Sequence, residues 1–536
     1  MASLQTRQGP LGKRLAAHLL RRTTFQITPS RIQSFANKTA EQAVNELFQP
    51  FNYVHPEGPI SVEDGTTPWL TTGPYDNRPD NGGIRQRSVQ LWFYNELMHD
   101  PTIHHKMAFC WHSIFVTGSD EDWRMFDLWR LFQLYAIGDI KKLSYKVSID
   151  SKMSRYLNNN VNRKGSPNEN YAREFLELFT ILKGETVGTG NYTNYTEADI
   201  QEAARVLTGF RDSDFDNKDD ETGLATGRAI YNNHDPGNKK FSAAFQYKMI
   251  VGAVDEADMY RELQDFVDMV FDQPETARAF VRRLYLYFVS DRISEEIESD
   301  IIEPLAQQLR NDNFVVENTL RTLLTSMHFF DEDDSNNKDE IIGGKVKPPL
   351  ELFFQSVNLF NANQLGVLND TPSHYDTPAY RLLVQTLKPM GLPEYPLTVE
   401  GYPGFFKSPS YSRFWFDQSN IAQRYKVPDS LVAGKGISTN NSIPFVTDVV
   451  QFFTENFSHQ EYAEDLVRQF LEMVLPEMPD VVRTSYFVEK LLAGIGPINW
   501  LFEWRKFQDT GDDEAVRVVL TDLFESVCRS PEFNTF

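Results

Sequence analysis

The 536-residue chain holds only two cysteines, Cys110 and Cys528. Two thiols cannot build the disulfide framework of a small secreted domain. They form no CxxC pair and no Cys/His zinc pattern. Two free, buried thiols are the preferred expectation, with a single bridge as the alternative. Long apolar runs are missing too, so no helix is expected to span a bilayer. The opening residues lack the apolar stretch and small-residue cleavage site of a signal peptide. That points to the cytoplasm, with the periplasm or cell envelope as the alternative. Positive charge is scarce: 53 Lys and Arg face 75 Asp and Glu, a net charge of −22. Nucleic acids and anionic membranes need a positive face, so neither is an expected partner. Sharp catalytic signatures are absent as well. No G-x-S-x-G, H-E-x-x-H or G-x-x-x-x-G-K-[ST] pattern occurs, and Gly434-Lys435-Gly436 lacks phosphate-loop spacing.

What is abundant is aromatic: 40 Phe and 22 Tyr in a chain that is 41% apolar. Such rings dominate core burial. Apolar residues recur at helical spacing along most of the sequence. Arg7, Lys13, Arg14, Arg21 and Arg22 surround Leu11, Leu15, Leu19 and Leu20, which predicts an amphipathic first helix with a basic face. Thr28-Pro29 reads as a cap and first-turn proline. Helices are expected over 39–48, 85–99, 102–115, 122–137, 255–271, 274–289, 296–310, 316–328, 350–360, 461–474, 483–492 and 513–528. Residues 50–83, 391–415 and 427–445 read as irregular or polar loops. The acidic run from Asp331 and the Gly and Pro pairs up to Pro349 mark a boundary. The fold expected is mainly α: a large multi-helix protein with long irregular loops. No internal repeat argues for a regular solenoid. The division expected is a helical core over 1–330, a linker over 331–349 and a helical subdomain over 350–536.

The most informative segment is Ser166–Thr180, SPNENYAREFLELFT. Ser166 and Glu169 read as a capping box around first-turn Pro167. In the helix that should follow, Tyr171, Phe175, Leu178, Phe179 and Leu182 share an apolar face. Asn170, Arg173, Glu174 and Glu177 share the opposite one. Either that stripe faces water, or it lines a polar cleft with Asn170 as a ligand-binding candidate. Carboxylates three residues apart can share a metal or divide acid and base roles.

A second capped helix opens at Thr196–Asp199 and can close at Gly209. Asp212, Asp214 and Asp216 alternate like the start of a calcium loop. However, Asn217 stands at the glycine position and Gly223 at that of the final Glu, so a solvated acidic loop is the competing reading. The turn His234-Asp235-Pro236-Gly237 carries a base or metal-ligand candidate in His234, and Asp235 and Lys239 as ligand-binding candidates. His112 has apolar neighbours, so a core histidine competes with a functional one.

NENYAREFLELFT, YTEADIQEAARVLTGF and HDPGNKKF, in this order, resemble the core of the bacterial DUF1800 family. LGKRLAAHLLRRTTFQITPSRI resembles its N-terminus, and Arg278–Phe330, Lys345–Phe360 and Gly391–Arg424 its later blocks. The resemblance implies a possible DUF1501-like partner but no defined activity. It also exposes two departures. Ile114 stands where the family's Phe-Trp-His-Asn-His-Phe block has its second histidine, and Tyr402 where many relatives have Trp.

Two functions follow. The favoured one is a non-catalytic binding or assembly protein, at the cell envelope if partnered there. The alternative is an enzyme whose pocket draws on Glu174, Glu177, Arg173, His112 and His234, with or without a divalent metal. In that reading Glu is base or ligand, Arg clamps an anion, and His donates a proton or binds the metal.

Overall fold

The computed structural model describes residues 2–52, 58, 82–118, 123–333, 340–362, 385–393, 395–434 and 445–536. Its fold is mainly α. Among the described residues, strands form only three two-stranded antiparallel ribbons. They pair Thr186–Gly188 with Asn191–Tyr192, Phe210–Arg211 with Arg228–Ala229, and Lys239–Lys240 with Met249–Ile250. No described helix is long and apolar enough to cross a membrane.

Capping residues set many helix starts. Thr28, Thr39 and Thr196 open Pro29–Ala36, Ala40–Leu47 and Glu197–Val206, the last two through full capping boxes. The patterns at 255–271 and 274–289 give the helices Glu256–Phe271 and Pro274–Phe288. The helices Ile140–Ile149 and Gly496–Thr510 lie outside the expected set. The expected loop at 427–445 begins instead with the helix Val427–Ala433. Most of the expected 50–83 loop, 53–57 and 59–81, lies outside the described residues, as do 334–339 and 435–444.

Two local expectations are corrected. Gly12–Thr23 is a helix, but Arg21 and Arg22 are buried rather than part of a solvated basic face. Arg21 donates to the carbonyl oxygens of Met473 (2.6 Å) and Leu475 (3.3 Å), and Arg22 to that of Ile341 (2.7 Å). Ser166 is not a helix cap. The helix begins at Asn170, because the buried amide of Asn162 holds the preceding loop: its Oδ1 accepts from Asn168 N at 2.9 Å.

One continuous apolar cluster runs from the first helix to the last. Buried polar contacts cross the middle of the chain. Gln355 donates to the Arg21 and Thr24 carbonyls, Asn358 to those of Phe25 and Met98, and Lys106 pairs with Glu351 at 2.5 Å. Each meets a backbone or charged group that burial would otherwise leave unsatisfied. Cys110 and Cys528 are buried and free.

Candidate functional site

The Asn170–Glu174 helix does not continue as an α-helix. Phe175–Phe179 forms a π-helical turn, closed where Thr180 N and Oγ1 both donate to the Phe175 carbonyl. A π turn inserts one residue per turn and is characteristically found at functional positions. Tyr171, Phe175 and Phe179 point into the core as their spacing predicts. Beyond the turn, the Leu178 and Phe179 carbonyls have no helical partner. Arg283, from the Pro274–Phe288 helix, donates to both, at 2.9 Å to Phe179.

Arg283 and this turn form part of the wall of a cleft of about 520 Å³. Its surface is largely apolar, with Ile114, Leu178, Leu182, Leu286, Ile293 and Phe406 contributing. Five charged residues also line it. Arg282 pairs with Glu298 at 2.5 Å, and Lys407 with Glu400 at 2.5 Å. Arg283 is the fifth and is only 6% exposed. Its hydrogen bonds go to neutral carbonyls, so burial pushes its guanidinium down to about 9.

Glu174 and Glu177 do not line this cleft but share the chain segment of Leu178, which does: Glu177 directly precedes it and Glu174 lies one turn before. Glu177 pairs with Lys183 at 2.7 Å and accepts from Tyr195 Oη at 3.3 Å. Glu174 is half-buried. Partial burial, and then the charge of Glu177, push its carboxyl up to about 7, and Glu400 adds to the effect. Arg173 points elsewhere. It makes two hydrogen bonds to Glu197, at 2.9 and 2.7 Å, and one to Glu169 at 3.2 Å. Those acids hold its guanidinium above its ordinary value. Asn170 donates to the Leu157 carbonyl at 3.3 Å.

The two candidate histidines lie in separate environments. His112 is buried against Trp129, with ring centroids 4.5 Å apart. Neither ring nitrogen makes a full hydrogen bond, and a weaker backbone contact at Thr117 only partly offsets burial, which drives the imidazole down to about 3. Its neighbours Ser113 and Ile114 do line the cleft. Ile114, where the resemblance led to the expectation of a second histidine, is thus an apolar part of the wall.

His234 belongs to a buried triad with Glu262 and Lys239. Its Nε2 lies 3.1 Å from Glu262, and Lys239 pairs with the other Glu262 oxygen at 2.5 Å. His234 Nδ1 donates to the Thr208 carbonyl at 2.8 Å. The turn fits here because Gly209 has φ +82° and no side chain; a Cβ would meet the Ile230 carbonyl oxygen at 2.8 Å. Asp235 accepts from Arg205 through both oxygens, at 2.9 and 3.2 Å.

The acidic loop folds on its own contacts. Asp212 pairs with Arg155 at 2.9 Å, while Asp214 and Asp216 are exposed. Asn217 donates to the Thr226 and Gly227 carbonyls. Among the described residues, no group of three or more His, Cys, Asp or Glu is arranged to hold a metal ion.

The candidates therefore separate into four places: Glu174 and Glu177 in the segment that leads to the cleft-lining Leu178, Arg173 in an ion-pair network, His112 in the aromatic core, and His234 with Lys239 in the triad. Arg283 is the residue that sequence reasoning missed. Its signal was phase: Ala279, Arg283 and Leu286 follow one helix face, so an arginine occupies an apolar-face position.

Fold and cleft together define a large helical protein with a mainly apolar cleft that carries one buried arginine with no acidic partner among the described residues. The family described as "Protein of unknown function (DUF1800)" matches residues 18–535, and the chain belongs to it. No curated protein and no solved structure matches the chain.

Proposed function

We propose that this chain is a non-catalytic binding protein whose cleft takes a small, mostly apolar molecule with one anionic end, such as a carboxylate. The observation that carries this reading is Arg283. A buried cation is costly unless an opposite charge meets it. Here the described residues around it supply two carbonyl dipoles and no paired carboxylate. The other four charged wall residues are already paired with one another. A ligand carboxylate would complete the arrangement through charge-assisted hydrogen bonds, with its apolar body against Ile114, Leu286 and Phe406.

Separation of the candidate histidines and Arg173 from the cleft favours binding over catalysis. The enzyme reading keeps one support, the carboxyl of Glu174, whose value near neutrality suits a general acid or base. The DUF1501-like partner implied by the family resemblance remains part of the proposal as an assembly role. Co-purification from the native source tests it, and recovery of the chain alone would remove it.

Calorimetric titration with octanoate, benzoate and neutral octanol tests the cleft. The carboxylates should bind and octanol should not. Ile293→Trp, which fills the cleft while keeping Arg283, should abolish binding, and Arg283→Met should weaken it strongly. Equal binding of octanoate and octanol, or of the wild type and a folded Ile293→Trp protein, would overturn the proposal.

A further inference from the structure

A second recess lies at the other end of the Ser166–Thr180 segment. It measures about 710 Å³ and is lined by Val161, Arg163, Ser166, Pro167, Asn168 and Arg211. Its floor is held in place. Asn162 Nδ2 donates to the Ala204 carbonyl at 2.9 Å, and its Oδ1 accepts from Asn168 N at 2.9 Å. Arg163 and Ser166 bridge across the intervening turn. Arg211 rises from a short ribbon and donates to the Asn160 carbonyl.

The charge here runs against that of the whole protein. The chain carries −22, yet the ionisable residues lining this recess are two arginines. Burial, and then the charge of Arg163, lower the Arg211 guanidinium from its ordinary value. Across the ribbon, Arg228 is directly opposite Arg211, a register that opposes like charges on one face. The acid within reach of Arg211 is Asp212, and that carboxylate is engaged by Arg155 at 2.9 Å and by Asn160 Nδ2 at 3.3 Å. Asn168 Oδ1 accepts from Asn170 N, which leaves its amide Nδ2 as a donor beside the Ser166 hydroxyl. The recess thus gathers two cationic forks and two neutral donors around polar space.

We infer that this recess binds a tetrahedral oxyanion group, the phosphate or sulfate ester of a small polar molecule, with Arg163 and Arg211 clamping the anion. Forked guanidinium donors match such oxygens in pairs. The volume exceeds that of the anion alone, and its polar lining suits a hydrophilic body of sugar size. This site is separate from the apolar cleft and stands independently of its assignment.

Titration calorimetry of the full chain with glucose 6-phosphate, glucose 6-sulfate and unesterified glucose tests it. Binding of either ester and not of glucose supports the proposal, and the ester that binds identifies the anion. Affinity should fall as salt rises. Arg163 is exposed, so Arg163→Glu should fold normally and reduce ester affinity by roughly tenfold or more, the worth of a charge-assisted hydrogen bond. Ile293→Trp, which blocks the apolar cleft, should leave ester binding unchanged. No ester binding by the wild type, binding equal to that of glucose, or unaltered affinity in Arg163→Glu would each overturn the assignment.

Discussion

Asp150 offers a test of how burial controls charge in this fold. It is buried and caps the Ser151–Tyr156 helix, where its Oδ1 accepts from Met153 N at 2.8 Å. Burial pushes its carboxyl up to about 7; hydrogen bonds oppose the shift and neighbouring Asp127 adds to it. Asp127 itself is pushed to about 6 by burial. Both line a small cavity of about 10 Å³. An aspartate raised in this way binds its proton more tightly in the folded than in the unfolded chain. Its contribution is fully present below its ordinary value near 4 and is lost as pH rises through about 7. At about 1.4 kcal/mol per unit, the loss approaches roughly 4 kcal/mol, an upper bound because water entry and relaxation of Asp127 reduce it. Asp150→Asn removes the ionisation while keeping a side chain that caps about as well. Urea unfolding midpoints between pH 4 and 8 provide the assay. The wild type should lose stability across that range, and the variant should lose less. At pH 8 the variant should be the more stable by on the order of 1–3 kcal/mol. Equal pH slopes, or the same destabilisation of the variant at pH 5 and pH 8, would refute the idea that buried charge is the cost at this position.

Three other perturbations separate the charged sites. Lys239→Met leaves Glu262 buried beside His234 without its ammonium partner, and should cost about 3–5 kcal/mol in denaturant unfolding. Lys239→Met with Glu262→Leu should recover much of that loss. Arg173→Ala breaks only partly exposed ion pairs and should change stability by about 1 kcal/mol or less. Glu174 should impose a pH dependence on octanoate binding. Its carboxyl becomes negative as pH rises through about 7, so wild-type affinity should fall there, while Glu174→Gln should give a flatter titration.

Legibility in the sequence followed the range of the interactions. Thr28, Thr39 and Thr196 could be read as caps because each partner lies within three residues. Ser166 looked equally good locally, yet Asn162, itself anchored to the distant Ala204 carbonyl, grips Asn168, and the helix starts at Asn170. Arg21 and Arg22 looked like a solvated basic face because their carbonyl partners at Met473, Leu475 and Ile341 lie more than 300 residues away. Glu174 and Glu177 were legible as a pair on one helix face. The cleft at Leu178 was not, because its other walls come from 113–114, 279–298 and 399–411.

The Ser166–Thr180 segment shows why spacing alone could not decide between a solvated stripe and a site. Periodicity gives the direction in which a side chain leaves its helix, and nothing about the charge it meets. Once the other elements pack, the polar residues of this segment part company. Asn168 lines the cationic recess, Arg173 is neutralised by Glu169 and Glu197, and Glu177 by Lys183. Glu174 receives only opposing influences from neighbours that are already paired. The π turn that follows supplies the last part of the arrangement. By leaving the Leu178 and Phe179 carbonyls unpaired, it gives Arg283 a neutral seat inside the cleft. An α-helical continuation would have used carbonyls of this turn internally. The same departure from regular helix therefore holds a buried cation, with no paired carboxylate among the described residues, in the cleft wall.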